Sequence, residues 1–399
     1  MSSSPEENPD AFPVAKLLRW YRKHRRDLPW RVKLGTRADP YRTLVSEQMC
    51  QQTQVATVIP YFHRFLEAFP TVQDLANADE QRVLKRWQGL GYYRRARNLH
   101  AAAKMIVDEF SGHFPGDVET LLQLPGVGRY TAGAIASIAF DEPAPILDGN
   151  VMRVLSRHEG IGEPVDQTPT QKQLWARAGQ WVAQSPKKTR GDFNQALMEL
   201  GATVCTPQPG SAKCMFCPLR ETCDAFATGR VDVLPVKTPK KKPQAVTHHV
   251  LAIFRGGKLL FEQRPSDGLW AKMWQLPTLE CLDPPPSGRG QRRVPERPAN
   301  TEQPHDASEP STLPQPLPEG GESLQHHVRE RFGLHVTAPQ EISSFPHATT
   351  HRAITFVVHT AQVEAGRLKP KSGVWRNADR LGDLPLSKPQ LRALEALLV

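Results

Sequence analysis

Two carboxylates in this sequence have the types and surroundings that could do acid–base chemistry. Glu47 lies among glutamines and apolar residues in SEQMCQQTQV, and Asp148 directly precedes a helical pattern in PILDGNVMRVL. A carboxylate at a helix N-terminus stays ionised at low pH, whereas a desolvated one keeps its proton. Such a pair suits glycosidic bond cleavage, in which one group protonates the leaving group and the other stabilises a cationic sugar.

Each carboxylate also has an ordinary structural interpretation. A glutamate on a helix usually faces solvent, so Glu47 fits a solvated helix face. Aspartate is a preferred N-cap residue, so Asp148 fits a simple helix cap. From the residue pattern alone both interpretations stay open.

A group of four cysteines forms the second candidate site. Their spacing is C-x8-C-x2-C-x5-C, and the residues are Cys205, Cys214, Cys217 and Cys223. Thiols so close together in a reducing compartment indicate a metal centre rather than disulfides. Structural zinc and an iron–sulfur cluster both fit this spacing.

The elements that must position these residues are almost entirely helical over residues 11–230. Apolar residues recur there at intervals of three and four between Gly or Pro breaks. The pattern predicts helices at 12–25, 40–68, 71–76, 78–88, 93–110, 118–122, 128–140, 149–158, 169–182 and 190–200. On the long helix at 40–68, Glu47, Gln51 and Gln54 would share one face.

The character of the chain changes after the Pro–Lys tether at residues 236–243. The segments HHVLAIF, KLLFEQR and ITFVVHTAQVE predict strands of a smaller α+β domain. Residues 283–321 are rich in Pro, Arg, Ser and Glu with few apolar groups, which predicts a disordered insertion.

A glycine-containing turn in LPGVGRYTAGAI joins two of the predicted helices. Gly126 and Gly128 permit a tight backbone that leaves the amides open to a ligand at the start of the next helix. Phosphate binds readily at such a helix N-terminus. The turn therefore predicts a helix-hairpin-helix that positions the protein on DNA.

Overall charge and composition agree with a nucleic-acid partner. The 399 residues carry a formal net charge of +10, and a basic excess favours polyanions. The N-terminus lacks a signal-peptide pattern, and no apolar run is long enough for a membrane span. We therefore expect a cytoplasmic, nucleoid-associated protein that does not bind membranes.

Several motifs, in order, resemble the MutY family of adenine DNA glycosylases. They are SEQMCQQTQVATVIPYF, GLGYYRRARNL, LPGVGRYTAGAI, ILDGNV, FNQALMELGATVC and the four cysteines. The resemblance is strong over residues 17–235 and weaker over 248–399, which looks like the family's C-terminal Nudix-like domain. It implies the endonuclease III fold, a [4Fe–4S] cluster on the four cysteines, and removal of adenine mispaired with 8-oxoguanine or guanine in double-stranded DNA.

The resemblance also implies a role for individual residues. Glu47 would protonate adenine at N7, Asp148 would stabilise the oxocarbenium ion, and Asn150 would help to hold the sugar and the acid groups. Gln52 and Tyr92 would enter the duplex beside 8-oxoguanine. The residues that match the lining of the adenine pocket are Arg26 and Gln195.

Tyr130 stands where relatives that also nick the strand carry a lysine. A lysine amine can attack the sugar and form a Schiff base, which tyrosine cannot. The residue therefore predicts a monofunctional glycosylase with little lyase activity.

The C-terminal domain departs from a working Nudix hydrolase. The Nudix box, the glutamate-rich motif that binds magnesium in a working hydrolase, corresponds here to HHVRERFGL. His326 and His327 replace its Arg-Glu pair, so we expect this domain to bind without hydrolysing a nucleotide. The family's Phe-Ser-His loop for 8-oxoguanine corresponds to Thr349, Thr350 and His351.

The predicted fold is thus an all-α helix-hairpin-helix glycosylase with an iron–sulfur loop, followed by an α+β Nudix-like domain. The expected domains are an iron–sulfur domain (10–36 and 143–230), a six-helix domain (37–142), a linker (231–245) and the Nudix-like domain (246–399). We expect a monomer. The alternatives are an endonuclease III-like glycosylase for another base, or a non-catalytic iron–sulfur protein that binds DNA.

Overall fold

The computed structural model describes residues 12–239, 243–282, 321–378 and 380–397. The chain divides into two compact units, Met1–Lys240 and Lys241–Val399. The predicted order, a helical unit followed by an α+β unit, is confirmed. Nearly all of the predicted insertion at 283–321 lies outside the described residues. Its last residue, Gly321, begins a helix.

In the part that the structure describes, the first unit is built from α-helices. They are α1 (Val14–His24), α2 (Pro40–Cys50), α3 (Val55–Ala68), α4 (Val72–Ala76), α5 (Glu80–Trp87), α6 (Arg94–Phe110), α7 (Val118–Leu121), α8 (Arg129–Phe140), α9 (Gly149–His158), α10 (Thr168–Ala183), α11 (Arg190–Thr203) and α12 (Asp224–Ala227). Two 3₁₀ turns, Cys214–Phe216 and Arg220–Thr222, lie in the cysteine loop. None of the described helices is both long enough and apolar enough to cross a membrane.

One predicted helix is wrong, because the segment 40–68 forms α2 and α3 with a turn between them. The helix ends at Cys50, Gln51 is extended at ψ 117°, and Gln52 has a left-handed φ of 54°. Glu47 and the glutamines after Cys50 therefore do not share a helix face. The carbonyls freed at the end of α2 accept hydrogen bonds from Arg95, which lies far away in sequence.

Helix α8 is largely buried and packs against α2, α7 and α11, and small residues let its neighbours approach closely. A Cβ added at Gly133 would lie 2.1 Å from the Pro145 carbonyl oxygen, and one at Gly191 of α11 would lie 2.7 Å from the Ser137 oxygen. Only glycine fits such contacts. The close packing brings Tyr130, near the start of α8, against both α2 and α11.

The second unit is a mixed sheet with a helix on each face. Within the described residues its elements are β1 (Gln244–Arg255), β2 (Lys258–Gln263), β3 (Trp274–Gln275), β4 (Thr278–Leu282), α13 (Gly321–Phe332), β5 (Leu334–Val336), β6 (Gln340–Ala348), β7 (Arg352–Gly366), β8 (Val374–Asn377) and α14 (Lys388–Glu395). Strands β1 and β7 pair in parallel, and the other named pairs are antiparallel. The three predicted strands are confirmed as β1, β2 and β7.

Alternate residues of β1 pack into two separate hydrophobic cores. Val250 and Ala252 pack in the core that includes Ala393 of α14, whereas Leu251 and Ile253 pack in the core that includes Val328 of α13. Successive residues of a strand point to opposite faces, so each face carries its own apolar set.

Candidate active site

Glu47 is a buried acid in the middle of the first unit. The Tyr130 hydroxyl donates a 2.7 Å hydrogen bond to Glu47 Oε2 and lies 3.1 Å from Met198 Sδ. Burial raises the pKa of Glu47 to about 7, the Tyr130 hydrogen bond and the Arg31 charge lower it, and the Asp148 charge raises it. The solvated-face interpretation is therefore excluded, and Glu47 can carry a proton near neutral pH.

Asp148 is the N-cap of α9, as predicted. Its Oδ1 accepts hydrogen bonds from the backbone N–H groups of Asn150 (2.9 Å) and Val151 (2.7 Å), and its Oδ2 accepts one from Asn150 Nδ2 (2.9 Å). Burial nevertheless raises the pKa of Asp148 above its ordinary value. The prediction that the helix N-terminus keeps this pKa low is wrong in direction, because burial outweighs these hydrogen bonds.

Asn150 is fixed between Asp148 and a buried arginine. The Arg153 guanidinium donates 2.9 Å to Asn150 Oδ1, which leaves the amide nitrogen to donate to Asp148. Arg153 Nε also donates 2.6 Å to the Cys205 carbonyl oxygen. Helix α9 thus connects the capped carboxylate with the start of the cysteine loop.

Arg26 is held by a second buried carboxylate, which the sequence reasoning did not single out. Arg26 Nε lies 2.8 Å from Glu199 Oε1, and the buried Arg31 lies 2.7 Å from Glu199 Oε2. Gln195 is half-buried on α11, one turn before Glu199 and on the same face. Arg31 acts electrostatically on both Glu199 and Glu47, so it connects the partner of Arg26 with the buried acid.

The predicted hairpin joins α7 and α8 through residues 122–128. Gly126 has a φ of +73°, and a Cβ there would lie 2.5 Å from the Asn98 side chain, so glycine is required. Its carbonyl oxygen accepts 2.9 Å from Gln48 of α2. Gly128 caps α8, and a Cβ there would meet nothing within 4 Å. The N-terminus of α8 is therefore open to an anion.

The two residues expected to enter DNA lie at strained turns. Gln52 has a φ of 54° and Tyr92 a φ of 48°, a region that residues other than glycine adopt at a cost. The Gln52 side chain is exposed, and Tyr92 is 50% exposed. Backbone strain of this kind persists only where the surroundings hold it in place.

The model of the HhH-GPD superfamily of base excision DNA repair proteins matches residues 45–180. The adenine DNA glycosylase of Rattus norvegicus is 43% identical over 326 residues, covering 70% of this chain and 62% of the rat protein. That of Buchnera aphidicola subsp. Baizongia pistaciae (strain Bp) is 37% identical over 263 residues, covering 65% of this chain and 72% of the relative.

This chain belongs to the adenine DNA glycosylase family. The match to the rat protein spans 62% of that protein's length, which is less than two thirds. A MutT Nudix hydrolase from Burkholderia pseudomallei is also similar in structure, at 17% identity and a TM-score of 0.27, covering 39% of this chain and 99% of that protein.

The four cysteines of the predicted cluster lie around one pocket. Its apolar lining includes Val154, Leu200 and Leu219, and its thiols are those of Cys205, Cys214, Cys217 and Cys223. Within the described ranges, no three Cys, His, Asp or Glu side chains are grouped so as to hold a single metal ion. The buried Arg157 guanidinium lies 3.3 Å from Cys205 Sγ and places a positive charge at the edge of the pocket. The donor set and this charge fit a thiolate-bound iron–sulfur group.

In the second unit, Thr350 and His351 are exposed in the turn between β6 and β7. The turn is closed by a 2.8 Å bond from the Thr349 N–H to the Arg352 carbonyl oxygen and by a 3.1 Å bond from the Arg352 N–H to Thr349 Oγ1. Thr349 is therefore occupied with the backbone, which leaves the other two side chains at the tip.

Sequence reasoning missed several residues that position the site. They are Arg31, Arg95, Arg153, Met198 and Glu199. A signal was present for two of them: Arg153 follows Asn150 by three residues, and Glu199 follows Gln195 by four, so each shares a helix face with a predicted site residue. For Arg31 and Arg95 no local signal exists, because their partners lie in distant segments.

Proposed function

We propose that this protein hydrolyses the N-glycosidic bond of adenine mispaired with 8-oxoguanine or guanine in double-stranded DNA. The observation that carries the proposal is Glu47, a buried acid whose pKa is raised to about 7 beside the capped carboxylate of Asp148. Family membership supports adenine as the base. The open N-terminus of α8 supports contact with a DNA phosphate.

The reaction requires the adenine to leave the base stack and enter the first unit. Protonated Glu47 gives its proton to adenine N7, and the bond between the sugar C1′ and N9 then breaks with both electrons leaving on adenine. The Asp148 carboxylate stabilises the cationic sugar. Water adds to C1′ and gives a proton to the now ionised Glu47 carboxylate, which yields an abasic site and free adenine and restores the acid. Asn150, locked by Arg153, orients the Asp148 carboxylate during these steps.

Tyr130 keeps the reaction monofunctional in this proposal. Its hydroxyl is engaged with Glu47 at 2.7 Å and offers no amine for a Schiff base. Strand cleavage should therefore need a later step by alkali or another enzyme.

The second unit and the cysteine pocket supply binding. Thr350 and His351 would contact the 8-oxoguanine opposite the adenine. Cys205, Cys214, Cys217 and Cys223 would hold a [4Fe–4S] cluster, which when bound cross-links their loop as a rigid unit. We further infer a monomer that acts on chromosomal DNA.

A single-turnover assay tests the proposal. Duplexes with A opposite 8-oxoguanine, G or T are incubated with excess enzyme, and samples are quenched with and without hot alkali. We expect cleavage of the A strand only after alkali, fastest opposite 8-oxoguanine and slowest opposite T. Equal rates on all three duplexes, or no alkali-sensitive product, would contradict the proposed substrate.

A further inference from the structure

We propose that Arg95 is a positioning residue that holds both duplex-entering turns, those of Gln52 and Tyr92, in place with one guanidinium. This inference rests on the proposed function, because it concerns how the same protein opens the duplex. Arg95 lies in the first turn of α6 and is 7% exposed.

One nitrogen of Arg95 holds the turn that carries Gln52. Arg95 NH1 lies 2.8 Å from the Gln48 carbonyl oxygen, 2.9 Å from that of Met49 and 2.5 Å from that of Gln51. These carbonyls are orphaned where α2 ends. The guanidinium therefore caps the C-terminus of α2, directly before Gln52 with its left-handed backbone.

The other nitrogen reaches the second turn as well. Arg95 NH2 lies 3.2 Å from Thr53 Oγ1 and 3.1 Å from the Gly91 carbonyl oxygen, directly before Tyr92. The guanidinium carbon also lies 5.4 Å from the centre of the Tyr92 ring. A planar fork can bind two segments at once, which a single ammonium cannot.

Backbone carbonyl oxygens are the main hydrogen-bond partners of this arginine, and the Thr53 hydroxyl is a further one. Burial lowers the pKa of Arg95 to about 10, and Cys50 and Tyr92 are the groups that raise it. Among the residues that the structure describes, no carboxylate accepts a hydrogen bond from Arg95. Peptide dipoles thus compensate the buried charge, so the turns and the guanidinium stabilise one another.

Both strained residues, Gln52 and Tyr92, therefore depend on one side chain. Without it, each turn can relax to an ordinary φ, and its side chain moves away from the position that faces DNA. Small displacements of this kind lower rates by about 100-fold when positioning limits the reaction. The chemistry at Glu47 should be unchanged once adenine has been flipped.

The test compares Arg95→Met with Arg94→Met, which removes the same charge from the exposed neighbour on α6. Single-turnover adenine release is measured on a fully paired A:8-oxoguanine duplex carrying 2-aminopurine beside the target, and on a duplex with the adenine in an unpaired bubble. We expect Arg95→Met to be roughly 100-fold slower than Arg94→Met on paired DNA, without the 2-aminopurine unstacking signal. On the bubble duplex the adenine-release rates of the two variants should become similar. Both rates should fall over the same pH range.

Arg95→Lys should recover only part of the loss, because an ammonium can hold one turn. Equal rates and equal unstacking for Arg95→Met and Arg94→Met on paired DNA would overturn the inference. If Arg95→Met does not fold by circular dichroism, Thr53→Val decides, since it removes one acceptor of Arg95 and keeps the side-chain shape. A normal unstacking signal in Thr53→Val would then overturn it. Absence of adenine release by the wild type would instead refute the proposed function.

Discussion

The hydrogen bond from Tyr130 to Glu47 gives a prediction for the pH dependence of adenine release. The phenol donates 2.7 Å to the carboxylate, and this bond lowers the pKa of Glu47, which burial has raised to about 7. In Tyr130→Phe the ionised carboxylate loses that donor while burial remains. The pKa of Glu47 should therefore rise.

The magnitude follows from the type of bond. A hydrogen bond to a charged group contributes about 1.5–3 kcal/mol, and one pKa unit equals about 1.4 kcal/mol, so the rise should be roughly 1–2 units. Since the protonated acid is the active form, the wild-type rate should fall as the pH rises through about 7. In the variant that fall should come ~1–2 units higher.

The assay is single-turnover adenine release as a function of pH, at enzyme concentrations below half-saturation so that the profile reports the free enzyme. Tyr41→Phe is the matched control, because its hydroxyl donates 2.7 Å to the Phe69 carbonyl oxygen rather than to an acid. Its profile should match the wild type. The reasoning would be refuted if the rate of Tyr130→Phe fell at the same pH as that of the wild type, or at a lower pH.

Three further predictions concern catalysis and stability. Tyr130→Lys should gain strand cleavage without alkali, because it places an amine beside the site; a nicking assay showing no gain over the wild type would count against this placement. Glu199→Gln should destabilise the protein by about 3 kcal/mol, because it leaves the buried Arg31 without its carboxylate; urea unfolding within error of the wild type would contradict this. Lys272→Gly should stabilise the second unit by roughly 1 kcal/mol, because Lys272 has a φ of 61°; an unchanged or lower denaturant midpoint would argue against strain there.

Local sequence pattern predicts most of the secondary-structure elements and the helix cap at the candidate site. The Asp148 cap and the glycine hairpin are encoded within a few residues, and the apolar run of β1 is visible in sequence. The break after Cys50 was missed, since the following Gln-Gln-Thr-Gln contains neither Gly nor Pro. Arg95 donates hydrogen bonds to this break from 42 to 47 residues away in sequence.

The protonation state of Glu47 depends on contacts with residues that are distant in sequence, so no local sequence pattern predicts it. Tyr130 lies 83 residues from Glu47, and Arg31 lies 168 residues from Glu199. For the same reason the direction of the Asp148 pKa was wrong, because burial by the whole unit decides it rather than the helix end. Residue types could identify the two carboxylates, but only the fold could set their protonation.

The most direct test of the central claim is to identify the released base. Wild-type protein and Glu47→Gln are incubated with an A:8-oxoguanine duplex, and free adenine is quantified by chromatography. The account predicts adenine from the wild type and a loss of at least about 100-fold in Glu47→Gln, since the amide cannot donate the acid's proton. Equal adenine release by both proteins would contradict Glu47 as the acid, and release of a different base would contradict the substrate.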